Sequence, residues 1–206
     1  YFEACQKKAA CEVVLLDQTG YAAFLKKLLR KQTFVFGFDG ASLTFDHLET
    51  FKKLLKKHTK GQVKAKNFSA PFQTLRACKD KKELQELKKA ADLGSKGFDF
   101  VLDNLKVGIT EIQIANKLDA FWKDNGGNGL AFDPIIAFGK NASMPHYHPK
   151  QVKLKAGDQV LIDIGVKVGP YHSDMTRTVF FKKAPSKKLS EVYEVVREAQ
   201  ELAIKA

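Results

Sequence analysis

Two aspartates stand in positions where carboxylates do chemistry. Asp163 lies in Val-Leu-Ile-Asp-Ile-Gly, with branched aliphatic residues on both sides, an unusual setting for an acid in an extended segment. Asp174 follows in His-Ser-Asp-Met-Thr-Arg-Thr, and Gly169-Pro170 marks a turn between them. In an antiparallel hairpin, opposed residues have positions of constant sum. A four-residue loop closing at Lys167 and Pro170 would therefore set Asp163 directly opposite Asp174, with β-carbons about 5 Å apart on one sheet face. Like charges so placed repel, and in a half-buried setting one would retain its proton. A bound cation removes that cost. Two bridging carboxylates span the roughly 3.5–4 Å between the ions of a two-metal site, and oxygen donors favour hard cations such as manganese. The same spacing also fits a solvated pair, or one neutralised by Arg177 or Lys167. Spacing by itself leaves both readings open.

Three histidines lie near this block: His146, His148 and His172. His146 follows Pro145, so a structural histidine beside a proline turn is the plain alternative to a reactive one. The cysteines Cys5, Cys11 and Cys78 are odd in number and form no CxxC or Cys/His ligand pattern, which fits reduced thiols in a cytoplasmic protein. The net charge of +12 comes overwhelmingly from lysine; the only arginines are Arg30, Arg76, Arg177 and Arg197. Lysine lacks the planar fork that reads phosphate or guanine bidentately. Most of these lysines fall on the polar faces of expected helices, so no specific nucleic-acid partner is expected. With 44% hydrophobic and 28% charged residues the composition is globular, and no apolar run approaches a membrane span.

The elements that must position these residues follow from periodicity. Val13–Leu16 is a strand candidate, Tyr21–Lys31 has helical spacing, and Thr33–Phe38 is β-branched and aromatic. Ser42 or Thr44 can cap a helix that places Leu48, Phe51 and Leu55 on one face and a Glu49–Lys53 pair on the other. Val63 begins another extended piece. Pro71 breaks the pattern across residues 67–74, where a domain junction is expected. A long helix then opens with Asp80 as cap and Glu83 three residues on. Its apolar face is read as Leu84, Leu87, Ala91, Phe98, Leu102 and Leu105, with Gly94 and Gly97 allowing close packing or a kink. Thr110 and Gln113 form a capping box for the next helix, which buries Ala115, Leu118 and Phe121 or Trp122. Extended runs are expected at Phe132–Phe138, Asp158–Val168 and His172–Phe181, with a turn at Lys140-Asn141. A last helix carries Leu189, Val192, Val196 and Ala203 on one face.

The wording around the acids points further. Phe-Asp-Pro-Ile-Ile-Ala-Phe-Gly-Lys-Asn-Ala-Ser-Met-Pro-His-Tyr, then Gly-Asp-Gln-Val-Leu-Ile-Asp-Ile-Gly and Tyr-His-Ser-Asp-Met-Thr-Arg-Thr, resemble the first metal-ligand block of the pita-bread metallopeptidases. Within that family the Xaa-Pro aminopeptidase and Xaa-Pro dipeptidase (prolidase) branch is most similar. Leu75-Arg76, Lys79 and Glu83 match the usual start of the catalytic domain. The resemblance implies a creatinase-like α/β amino-terminal domain over residues 1–72 and the first half of an α+β pita-bread domain over residues 73–206. It implies that Asp163 binds one metal and Asp174 bridges two, that His146 contacts the substrate and steadies the transition state, and that Phe132 lines the pocket for proline. His148 and His172 are read as rim or solvated groups. The implied activity is hydrolysis of the bond before proline, in a peptide or dipeptide with proline at its second position. The implied cofactor is a pair of divalent ions, usually manganese, in a cytoplasmic homodimer.

The family completes its metal site with a histidine and two glutamates that lie downstream, one of the glutamates being the usual proton-transfer group. Two of five ligands fall within the residues given, so the chain is expected to be the front part of a longer enzyme. A non-catalytic pita-bread-fold protein that binds proteins or nucleic acid is the alternative. Retention of both acids argues against it, and the lysine excess argues mildly for it.

Overall fold

The computed structural model describes residues 33–58 and 62–206; the strand expected at Val13–Leu16 and the helix at Tyr21–Lys31 lie outside them. The chain divides into two compact units, the first ending at Lys79 and the second running from Asp80 to Ala206.

In the first unit the β-branched and aromatic run forms β1 (Thr33–Phe38), which pairs in parallel with β2 (Gln62–Asn67). Parallel neighbours need a crossover, and α1 (Phe45–His58) supplies it. Phe36 and Leu55 are buried between strand and helix, joined by Phe38, Leu48, Phe51, Leu54 and Ala65. Phe36 meets Phe51 edge-on with ring centroids 5.3 Å apart. Glu49 pairs with Lys52 at 2.8 Å rather than with Lys53. Pro71 does not break the helical pattern in residues 67–74 as expected. Helix α2 (Ser69–Ala77) runs through them, with Pro71 in its first turn, where a missing N–H costs no helical hydrogen bond.

The second unit is a layer of two helices against a sheet. Helix α3 (Lys81–Asn104) starts at the Asp80 cap with the full capping box to Glu83, and α4 (Glu111–Asp124) starts at Thr110 with the box to Gln113. The buried face of α3 differs from the expected one. It consists of Ala90, Leu93, Gly94, Gly97 and Val101, while Leu84 and Leu102 are exposed. The cause is close approach. A β-carbon on Gly97 would lie 2.4 Å from Trp122 Nε1, and one on Gly94 would lie 2.6 Å from Ser173 Oγ. The fully buried Trp122 indole uses that space to donate to Leu93 O at 3.1 Å. Gly94 and Gly97, with Ala90, Leu93 and Val101, therefore lie deepest, while Phe98 and Leu105 of the expected face pack against the core as partly buried residues.

Three antiparallel strands form the sheet under these helices in the order β4 (Ile135–Phe138), β5 (Gln159–Ile164), β8 (Met175–Phe180). The apolar run from Phe132 thus contributes a strand only from Ile135, and a short 3-10 helix at Gly139–Ser143 replaces the simple turn. A second small sheet joins β3 (Gly129–Leu130), β6 (Val166–Val168) and β7 (Tyr171–His172). Along β5, Val160, Ile162 and Ile164 are fully buried, and with Ile136, Phe138, Leu118, Ile114 and Trp122 they make the core. Helix α5 (Lys187–Lys205), capped by Ser186, buries no residue.

Candidate metal centre

Strand alternation sets the site. Because Val160, Ile162 and Ile164 face the helices, Gln159, Leu161 and Asp163 face the other way and are half-buried. Asp163 sits on the central strand, with Ile135 on one side and Thr176 on the other. The direct opposition of Asp163 and Asp174 expected from the sequence does not occur. The loop holds only Gly169 and Pro170, closed by the Val168–Tyr171 pair. Gly169 takes a φ of 58°, the positive value that two-residue hairpin loops favour. This shifts the partner of Asp163 by two residues, to Thr176.

A shift of two preserves the face. Asp174 lies two residues before Thr176, diagonal to Asp163, a relation that spans about 7–8 Å between α-carbons in an ordinary ladder. Gly165 breaks the strand between them. A β-carbon there would meet Ser173 O at 2.3 Å and Phe132 Cε1 at 2.6 Å. Opposite it, Val166 O accepts from Ser173 N at 2.9 Å, but Val166 N donates to Ser173 Oγ at 3.0 Å instead of to a carbonyl. The side chain of Ser173 thus stands in for its own main chain, and Asp174 leaves the ladder as an exposed residue. Phe132 thereby packs at Gly165, at the break between the two acid-bearing segments.

Thr176 Oγ1 donates to Asp163 Oδ1 at 2.7 Å, which fixes one oxygen and leaves the other open. Among the described residues no lysine or arginine pairs with either acid. Arg177 donates from Nη1 to Thr176 O at 2.8 Å and forms no ion pair with either acid. A half-buried carboxylate without a basic partner, such as Asp163, suits a divalent cation. The set is incomplete, however: among the described residues no three His, Cys, Asp or Glu side chains come together to hold a metal ion.

His146 is exposed in the loop between the 3-10 helix and β5. Its neighbour Tyr147 is buried, and its phenol is pushed up to about 12 by burial and by the hydrogen bond to Glu111. His172 and Asp174, with Lys88, Ser95 and Arg177, line a groove of about 450 Å³ along α3. His148 lines a separate groove of about 250 Å³ with Asp133 and Pro134. Both histidines are exposed. Sequence reading passed over Glu111, Ser173 and Thr176. The signal for Thr176 was its parity with Asp174; Glu111 looked like an ordinary acid in a first helical turn.

A family model for metallopeptidase family M24 matches residues 85–206, and the chain belongs to that family. An uncharacterized peptidase of Staphylococcus aureus is 39% identical over 132 residues, 64% of this chain and 37% of that protein. The Xaa-Pro dipeptidase of Pyrococcus furiosus is 33% identical over 177 residues, 85% of this chain and 49% of that one. Among solved structures, the X-Pro aminopeptidase of Thermotoga maritima superposes with a TM-score of 0.84 at 25% identity, over 100% of this chain and 57% of that one. The chain thus spans between about a third and about a half of the length of the curated relatives named here. Among the described residues no helix is long and apolar enough to cross a membrane.

Proposed function

We propose that the full-length protein containing this chain is a two-metal peptidase that cleaves the bond before proline at the amino terminus of peptides or in dipeptides. The observation that supports the reading is the β5–β8 register, which sets Asp163 opposite Thr176 and Asp174 two residues before it, next to the break at Gly165, with no ion pair to either acid among the described residues. Two divalent ions held there, manganese by the hardness of the donors, would activate water and polarise the scissile carbonyl. Asp163 offers the oxygen that Thr176 leaves free, and Asp174 offers a carboxylate from the facing segment. Phe132, packed edge-on at Gly165, supplies an apolar wall for a proline ring. A peptide bond to proline carries no N–H, so an apolar wall leaves no donor unsatisfied. His146 presents an imidazole that can donate to charge developing on the carbonyl oxygen or the leaving nitrogen. The names of the Pyrococcus and Thermotoga relatives support the Xaa-Pro preference. Hydrolysis of an Xaa-Pro dipeptide and of a longer Xaa-Pro peptide by the full-length protein, with and without added manganese, tests the proposal.

A further inference from the structure

Glu111 is the first residue of α4 and is fully buried. A carboxylate taken from water is costly unless its lone pairs are met, and here four donors meet them. Oε1 accepts from Phe138 N at 2.8 Å and from Asn141 Nδ2 at 3.0 Å. Oε2 accepts from Tyr147 OH at 2.6 Å and from Lys150 N at 3.0 Å. Asn141 Nδ2 also donates to Tyr147 OH at 2.9 Å, which closes the network. The helix does not need Glu111 as a cap, because Thr110 and Gln113 already form the complete box. The donors instead come from the end of β4, from the 3-10 helix and from the return of the chain toward β5. The segment from Phe138 to Lys150 leaves one carboxylate and comes back to it, and His146 lies inside that loop, next to Tyr147.

We propose that Glu111 is a positioning residue for His146: through Tyr147, Asn141 and the two backbone N–H groups it fixes the loop that presents the imidazole. This rests on the reading that His146 faces the substrate. Glu111→Gln replaces an acceptor oxygen with an amide NH₂ in a site ringed by donors, so at least one donor loses its partner. Tyr147→Phe keeps the carboxylate but removes its shortest contact and one acceptor of Asn141.

The test is amide hydrogen exchange and histidine ¹H–¹³C spectra of the chain, in which the His146 signal, one of five histidines, is assigned by its loss in His146→Gln. Both variants should speed exchange of the backbone amides between residues 138 and 150 roughly 10- to 100-fold and shift the His146 resonance. Exchange at Leu93 in α3 and the His172 signal should hardly change. Unchanged exchange in that segment and an unmoved His146 signal in Tyr147→Phe overturn the inference, as does an equal acceleration throughout α3. In the full-length protein, Tyr147→Phe should lower kcat on an Xaa-Pro substrate roughly 10- to 100-fold, with KM little altered. Loosened exchange with unchanged kcat would leave the link to His146 standing and remove the role of His146 in the reaction.

Discussion

Thr176 stands across the β5–β8 ladder from Asp163 and gives its hydroxyl proton to Asp163 Oδ1 at 2.7 Å. That bond orients the carboxylate, and the register that creates it also sets Asp174 two residues before Thr176. Outer hydrogen bonds of this kind hold a ligand in the orientation that a metal requires.

Removing the bond should therefore weaken cation binding more than it weakens the fold. Thr176→Val in the full-length protein is expected to raise the manganese dissociation constant roughly 10- to 100-fold. The thermal midpoint should stay within a few degrees, because the site is on the half-exposed face of the sheet. Calorimetric titration with manganese beside a melting curve separates the two effects.

The break at Gly165 leaves no room for a side chain. A methyl group there would sit 2.3 Å from Ser173 O and 2.6 Å from the Phe132 ring. Gly165→Ala should destabilise the chain by about 1–3 kcal/mol through overpacking, read as a lowered urea midpoint. A variant that unfolds at the same midpoint would show that the sheet bends at another residue.

Trp122, the only tryptophan, reports on the helix–helix contact without a label. Gly97→Ala places a methyl group 2.4 Å from its indole nitrogen. The indole should lose its bond to Leu93 O, and its emission should move to longer wavelength with a stability loss of about 1–3 kcal/mol. Fluorescence spectra and urea denaturation of the variant check both.

The Tyr147 phenol, raised to about 12 chiefly by burial and then by Glu111, gives a pH prediction. A pKa raised by folding means that the neutral group stabilises the fold. That contribution is complete below the ordinary phenol value near 10 and disappears as pH climbs from there through about 12. An alkaline absorbance titration should show one of the five tyrosines ionising late, together with loss of structure. Glu111→Gln should bring that ionisation to lower pH.

Local signals were legible in the sequence and non-local ones were not. Asp80 with Glu83 and Thr110 with Gln113 were readable because a cap involves residues three apart and little else. The hairpin that joins the two acid-bearing segments was readable because Gly169-Pro170 is a local turn signal. The register itself was not, since it depends on Ser173 Oγ replacing a main-chain acceptor and on Gly165 admitting the facing carbonyl. The close packing at Gly94 and Gly97 was readable, but their place at the centre of the buried face of α3 was not, because they carry no hydrophobicity; what they contribute is nearness to Ser173 and Trp122. Glu111 was hidden for a different reason. Its partners lie 27 to 39 residues away, and nothing next to it in the chain marks it as buried.

The central claim is that Asp163 and Asp174 hold metal for cleavage before proline. The most direct measurement is the rate of Xaa-Pro peptide hydrolysis by the full-length protein with manganese, wild type beside Asp174→Asn. Manganese-dependent cleavage that falls to background in the variant is the predicted result. Turnover by Asp174→Asn equal to wild type, or no cleavage of any Xaa-Pro peptide by a folded, manganese-treated wild-type protein, would contradict the account.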